Sequence, residues 1–406
     1  MAVEAQFDLP VDQVDPEVAM PDGGGATDDD YLTVTMLSAG LTQILWRRAR
    51  AAAGERSDEG LLPPAWRVAF TRLWWRCVGQ GVVPIATDLD LLEWCTKPLV
   101  AWPVVRGLSA TDLQNPLLVD EQLSEFAEQG ARLARADVEA EWVEHRVHQA
   151  LRAAAAANGT TDSEVQEAYA FLRRYLIDHA VIGDRDVRPL ERRFGRKDST
   201  GQTYVRRLVE AAYVARPATG EQVVQLCPRC RNVVTAEACD CGTAGCAGGP
   251  AEPFAVRALA VVYEQHRATR LFVHDPGLVE ARIIDALHDA ELVDRVTVTP
   301  YPGLDTLDVL IEFFVDAGGG GRKVVETWGV DAKDQVSAHL LGRGFAWPDS
   351  LPCDRRYLAL PTHRASQPGY VADLEIELDG RVAGVEVISE ERLTQQVKAR
   401  AGRLIR

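Results

Sequence analysis

The hydrophobic pattern of this 406-residue chain changes period near residue 254, and that change limits the folds open to it. From residue 31 to about 215 the apolar residues recur almost throughout at helical spacing. "YLTVTMLSAGLTQILWRRARAAAG" runs to a stop at Gly54, and Thr161 opens a helix with capping-box spacing to Glu164. The stretch from Asp120 to Ala157 reads as one long helix ended by Asn158-Gly159, and Trp74 and Trp75 are expected in the core. From Phe254 to Arg406, short apolar runs alternate with amphipathic helices, the pattern of an α/β domain. "RPATG" at 216–220 and "CAGGPAEP" at 246–253 read as linkers. No internal repeat is present.

The length calls for two or three cores. The net charge of -16 is unevenly spread: residues 1–30 hold nine acids and neither Lys nor Arg, leaving -7 for the rest. That segment reads as a disordered acidic tail, and basic clusters downstream retain room to meet phosphate. With no apolar run long enough for a bilayer and no basic leader, the expected location is cytoplasmic, with no membrane partner.

Five of the eight cysteines fall between residues 227 and 246, a clustering that in a reducing compartment points to metal. Cys227-Pro-Arg-Cys230 is a knuckle able to supply two thiolates to a tetrahedral Zn²⁺. The favoured set is Cys227, Cys230, Cys241 and Cys246, with Cys239 as the alternative ligand, in a small structural zinc ribbon over 222–250. Cys77, Cys95 and Cys353 stand alone and are expected as small core residues.

In the α/β region, "DPGLVEARIIDALHDAELVDR" predicts a helix over 277–290. "LDVLIEFFV" and "KVVETWGVDAKD" read as strands joined by a glycine-rich turn, Gly318 to Gly321. Symmetric pairing about that turn sets Asp308 opposite Asp331, with Lys333 on the same face by the period-two rule. A one-residue slip would break this arrangement and Asp305 remains an alternative. Two carboxylates so close repel unless a divalent cation lies between them; Mg²⁺ or Mn²⁺ would accept them, and a lysine beside it could orient or deprotonate an attacking water.

Asp308 followed by Asp331-Ala-Lys333 resembles the PD-(D/E)xK signature of restriction-endonuclease-like nucleases. The element order also resembles theirs: helix 277–290, strands 294–298, 307–315 and 323–331, helix 334–342 and strand 356–360. The chain departs from the signature in lacking a proline just before Asp308; Pro302 lies six residues upstream. The resemblance implies that Asp308 and Asp331 hold Mg²⁺, that Lys333 serves the water and that Glu280 matches the family's helix glutamate. It also implies a restriction-endonuclease-like nuclease domain over 254–406, preceded by the all-α domain of 31–215. The longer layout is similar to the nuclease that accompanies the prokaryotic PIWI module pPIWI-RE. That resemblance implies a DNA endonuclease in a bacterial defence system, acting on DNA, RNA–DNA hybrids or R-loops beside a PIWI-like protein and a helicase. The competing readings are a catalytically inactive nucleic-acid-binding or adaptor subunit and a zinc-ribbon transcription regulator.

Other polar features read as plain surface or packing. Arg192, Arg193, Arg196, Lys197, Arg206 and Arg207 surround a turn between two helical pieces; a phosphate-contacting patch or helix-turn-helix competes there with a solvated helix pair, which is favoured. His145 and His148 are expected on a solvated helix face. His339 could face the site or serve structure, Gln335 is a candidate for backbone contact with DNA, and the last basic helix is expected to pack.

Overall fold

In a computed structural model, the structure describes residues 26–404 apart from 53, 55–61, 219, 235–240, 242–245, 247, 291–294, 317–320 and 349. Most of the acidic tail, the glycines Gly318 to Gly320 and Cys239 therefore lie outside the described residues. The tail's last five residues do not: α1 spans Ala26–Ala52, where Asp30 is buried and accepts the Arg106 and Gly107 amides at 2.8 and 2.6 Å.

α1 packs on α2 (Pro64–Gly79) and α3 (Asp88–Cys95) in a helical core around Leu37, Trp66, Leu73 and Cys77. Leu73 and Cys77 take the inward positions of α2, which turns Trp75 out to 63 % exposure, contrary to expectation. The predicted long helix after Asp120 is two. α4 (Glu125–Leu133) is capped by Ser124, the chain then bends through Arg135 at positive φ, and α5 (Val138–Asn158) restarts on an Asp137 cap. α6 (Asp162–Asp178) begins at the expected Thr161–Glu164 capping box. α7 (Asp184–Arg193) and α8 (Tyr204–Ala212) follow a short strand, β1 (Val181–Gly183).

"RPATG" is no linker. β2 (Tyr213–Pro217) and β3 (Gly220–Leu226) occupy it, and β3 forms a three-stranded sheet with β4 (Val233–Val234) and β5 (Glu252–Ala258) beside the cysteines. β6 (Val261–Gln265) lies between β1 and β2 in a second small sheet. Both sheets stitch sequence on either side of residue 254.

The C-terminal part opens with α9 (Asp275–His288) and builds a five-stranded sheet from β7 (Val296–Pro300), β8 (Val309–Asp316), β9 (Arg322–Ala332), β10 (Arg355–Leu360) and β11 (Val385–Ser389). The order is β11-β10-β9-β8-β7, with β7, β8 and β9 antiparallel and β9, β10 and β11 parallel. Alternation sends Val309, Ile311, Phe313, Trp328 and Val330 to one face, where α5, α6, α9 and α12 (Glu390–Arg403) cover them. α10 (Ala338–Gly344) and α11 (Tyr370–Leu378) cover the other face. One apolar cluster runs from Ala140 to Ala401, so α5 and α6 belong to the packing of the sheet rather than to a separate helical core. Among the described residues, no helix is long and apolar enough to cross a membrane.

Candidate active site

The β8–β9 hairpin decides the register question. Val309 pairs with Val330 and the Asp308 amide donates to the Val330 carbonyl at 3.2 Å, which sets Asp308 opposite Asp331. A bulge between Phe313 and Phe314 shifts the pairing by one only on the turn side, so the site end keeps the symmetric register. Asp308 Oδ2 accepts the Ala332 amide at 2.6 Å and lies 3.8 Å from Lys333 Nζ, which also donates to Asp331 Oδ1. The Lys333 amide is fixed by the Ala359 carbonyl of β10 at 2.9 Å. Asp305 sits elsewhere, in a turn where Leu304 and Asp305 both have positive φ, and does not oppose Asp331.

These residues line a cleft of about 260 Å³ together with Glu280, Asp305, Arg173 and His148. Arg173 is the connecting piece. Its Nη2 meets Glu280 Oε1 at 3.2 Å and its Nη1 meets Asp305 Oδ2 at 3.1 Å, while His148 Nδ1 approaches the same Asp305 oxygen at 3.6 Å. Arg173 and Glu280 are almost wholly buried, which places charge where its removal would be costly. The close approach depends on a missing side chain: a Cβ at Gly277 would lie 2.4 Å from Ile177. Gly277 and Glu280 are one turn apart on α9, and Ile177 and Arg173 one turn apart on α6, so this bare spot lets guanidinium and carboxylate meet. Gln166, also on α6, holds the strained turn from above, donating to the Pro300 and Tyr301 carbonyls at 2.9 and 2.7 Å.

The electrostatics follow from crowding of buried charged groups in the cleft. Burial, reinforced by the charges of Glu280 and Asp331, pushes the Asp308 carboxyl well above the usual range against the pull of Lys333. Burial likewise raises Glu280, with Arg173 opposing. Burial would lower Lys333, but Asp331 and Asp308 overcome it and hold the ammonium form. The inner cluster has four carboxyl groups (Glu280, Asp305, Asp308, Asp331) facing two cations, Arg173 and Lys333, and Asp305 Oδ1 is buried without a partner. Burial favours the neutral forms of Asp308 and Glu280, so a hard divalent cation such as Mg²⁺ or Mn²⁺, which the all-oxygen donor set suits, would favour their ionisation.

The other expected polar residues go different ways. His148 faces the cleft instead of solvent, while His145 is exposed. His339 stacks on Tyr31 and pairs with Glu377 at 2.6 Å, a structural role. The Gln335 side chain is taken by Gln129 at 2.6 Å. Arg173 escaped sequence reasoning although a signal existed. It falls in the buried stripe of α6 beside Tyr169, Leu172 and Leu176, where an unpaired charge would not be tolerated.

The cysteine site is more compact. Ligand atoms of Cys227, Cys230, Cys241 and Cys246 all lie within 4.8 Å of one another, so these four thiols could bind a structural zinc, and none of the described cysteines forms a disulfide. The Arg231 amide closes the knuckle on the Cys227 carbonyl at 2.8 Å. His274 Nε2 lies 2.7 Å from the Cys230 carbonyl and Asn232 donates to Asp275 at 3.2 Å, which docks the knuckle on the start of α9.

Comparison with known families gives two matches. Residues 277–404 match the family model described as REase associating with pPIWI_RE, and residues 47–183 match that described as pPIWI_RE three-gene island domain Y. No curated protein and no solved structure gives a significant match. Both family matches associate the chain with the pPIWI_RE system, and the first describes a restriction-endonuclease-type component. The match over 47–183 was not anticipated from sequence. Arg173 and His148 lie in that region, whereas Glu280, Asp308, Asp331 and Lys333 lie in the other, so the cleft is lined from both.

Proposed function

We propose that this cleft is the active site of a metal-dependent endonuclease that hydrolyses DNA phosphodiester bonds within a pPIWI_RE conflict system. The observation that carries the reading is the convergence of Asp308, Asp331 and Lys333 at the end of the β8–β9 hairpin, in one cleft with Glu280. Asp308 and Asp331 would hold the metal, with Glu280 as the nearby helix carboxylate; the bound cation supplies Lewis-acid polarisation of the phosphodiester and a nucleophile at neutral pH. Lys333 orients the attacking water and balances the charge that develops on the phosphoryl oxygens. The β10 contact at its amide fixes the base of that side chain, so little reorganisation is needed at the moment of reaction. Arg173 bridges Glu280 and Asp305 and fixes their positions. The matches to pPIWI_RE families support protein partners in a conflict system; the proposed partners are a PIWI-like protein and a helicase, with RNA–DNA hybrids or R-loops as substrate forms. The ribbon and the helices of the N-terminal region would hold substrate or partner.

The test is cleavage of duplex, single-stranded and R-loop DNA with Mg²⁺ or Mn²⁺, by the protein alone and with the PIWI-like protein and helicase. Lys333→Ala and Asp331→Ala are each expected to lower the rate by about 10²–10³-fold or more, the scale of removing one preorganised charge. Native protein that cleaves no better than these variants under any of those conditions would sink the enzyme reading and leave an adaptor.

A further inference from the structure

A second groove, about 960 Å³ in volume, lies on α7 and the loop leading to α8. Arg185, Arg188 and Arg192 stand at i, i+3 and i+7 on one face of α7, and Lys197 adds a fourth cation from the loop. All four are exposed, and among the described residues none has an ion-pair or hydrogen-bond partner for its side chain. The local acids are spent elsewhere. Glu191 takes Arg206 at 3.1 and 3.0 Å, Asp186 caps the Gly183 amide at 2.9 Å, Asp184 takes the Leu259 amide at 2.5 Å and Asp198 pairs with Arg207.

Helix stability does not account for this pattern. Like charges three and four apart repel, and Arg185 in the first turn opposes the helix dipole. In a chain of net charge -16, an open groove with four unneutralised cations points to an anionic ligand with repeated charges rather than a single phosphate, which a closed, buried pocket would suit. Gln202 lines both this groove and an adjoining one that holds Arg146, Gln149 and Arg207; Arg146 and Gln149 lie on α5, the helix that carries Glu144 and His148 into the acid cleft.

We infer that the α7 groove binds the phosphate backbone of nucleic acid, independently of base sequence. The inference deepens the nuclease reading and rests on it for the choice of ligand, but binding can be measured without cleavage. The experiment is fluorescence anisotropy of the zinc-loaded full-length protein without added Mg²⁺ or Mn²⁺, with labelled duplex DNA, single-stranded DNA and RNA–DNA hybrid across a salt series. For Arg188→Ala/Arg192→Ala/Lys197→Ala, the slope of log affinity against log salt is expected to fall by about 2 to 3, at ~0.9 per lost duplex phosphate contact, with affinity down about tenfold or more. Arg188→Lys/Arg192→Lys keeps the slope, because the charge remains, and circular dichroism checks that each variant is folded. The arm with the steepest slope identifies the strand form. An unchanged slope and affinity in the triple variant overturns the inference, as does native protein that binds none of the three probes. Neither result bears on cleavage; conversely, slope-dependent binding without metal-dependent cleavage keeps the groove and removes the nuclease.

Discussion

The cysteine cluster and the acid cleft are both sets of ligand-capable side chains, but they are assembled at different ranges. The first draws on residues 227 to 246 and closes within one small sheet. The second draws on residues 148, 173, 280, 305, 308, 331 and 333, brought together by packing α5 and α6 on the sheet. A local site is held by its own turns and, once loaded, by its metal. A long-range site is held by the whole core, so a change far from the chemistry can reach it.

The largest separation between the two should come from removing a buried partner. Arg173→Met strips Glu280 of its counter-charge in a buried setting and is expected to cost ~3–5 kcal/mol of stability, the scale for breaking a buried pair. Arg173→Met/Glu280→Leu should recover part of that loss, because the replaced pair needs no counter-charge while Asp305 still loses Arg173. Thermal denaturation measures both. A single variant as stable as native protein would mean that the pair is not held as described. Cys227→Ser, by contrast, should abolish stoichiometric zinc by elemental analysis while Asp308, Asp331 and Lys333 keep their positions in the hairpin. Metal retained in full by that variant would overturn the four-thiol assignment.

A smaller effect tests the packing that joins the two matched regions. Gly277→Val puts side-chain atoms where Ile177 already sits and should cost ~1–3 kcal/mol as overpacking. Ile177→Ala in the same chain should restore part of it by opening the space. If Gly277→Val is neutral, the close approach of α6 and α9 does not govern the Arg173–Glu280 contact.

What could be read from the sequence divides along the same line. The knuckle spacing pointed to Cys227 and Cys230 and the clustering to their partners, and the glycine turn with its period-two strands placed Asp308 opposite Asp331, because both depend on neighbours in sequence. The order of helix and strands from residue 275 onward was legible for that reason too. The partners of Glu280 and Asp305 were not, since nothing in local spacing says which of many arginines packs against them. His148 failed similarly: its helix looked solvated, and only the turn at Leu304 and Asp305 gives it a wall to face. The break before α5 and the strands in "RPATG" show tertiary pairing overriding a helical or linker-like composition.

Asp112 carries the same lesson at a second junction, where it can be read from pH alone. It is buried between α1 and the start of α10, accepting from Tyr31 at 2.6 Å and from Ser337 at 2.7 Å. Burial pushes its carboxyl up to about 6, with those hydrogen bonds opposing, whereas the unfolded chain titrates near the ordinary value of ~4. Between these values the folded state binds more protons than the unfolded one. Stability from this group therefore falls as pH rises from about 4 to about 6, by at most ~1.4 kcal/mol per pH unit, and is level above that range. In Asp112→Asn that component should vanish, making the slope of denaturation midpoint against pH less negative, or more positive, between about pH 4 and 6. If the variant keeps the native slope, Asp112 is already ionised at low pH and its pocket is wetter than the contacts with Tyr31 and Ser337 imply.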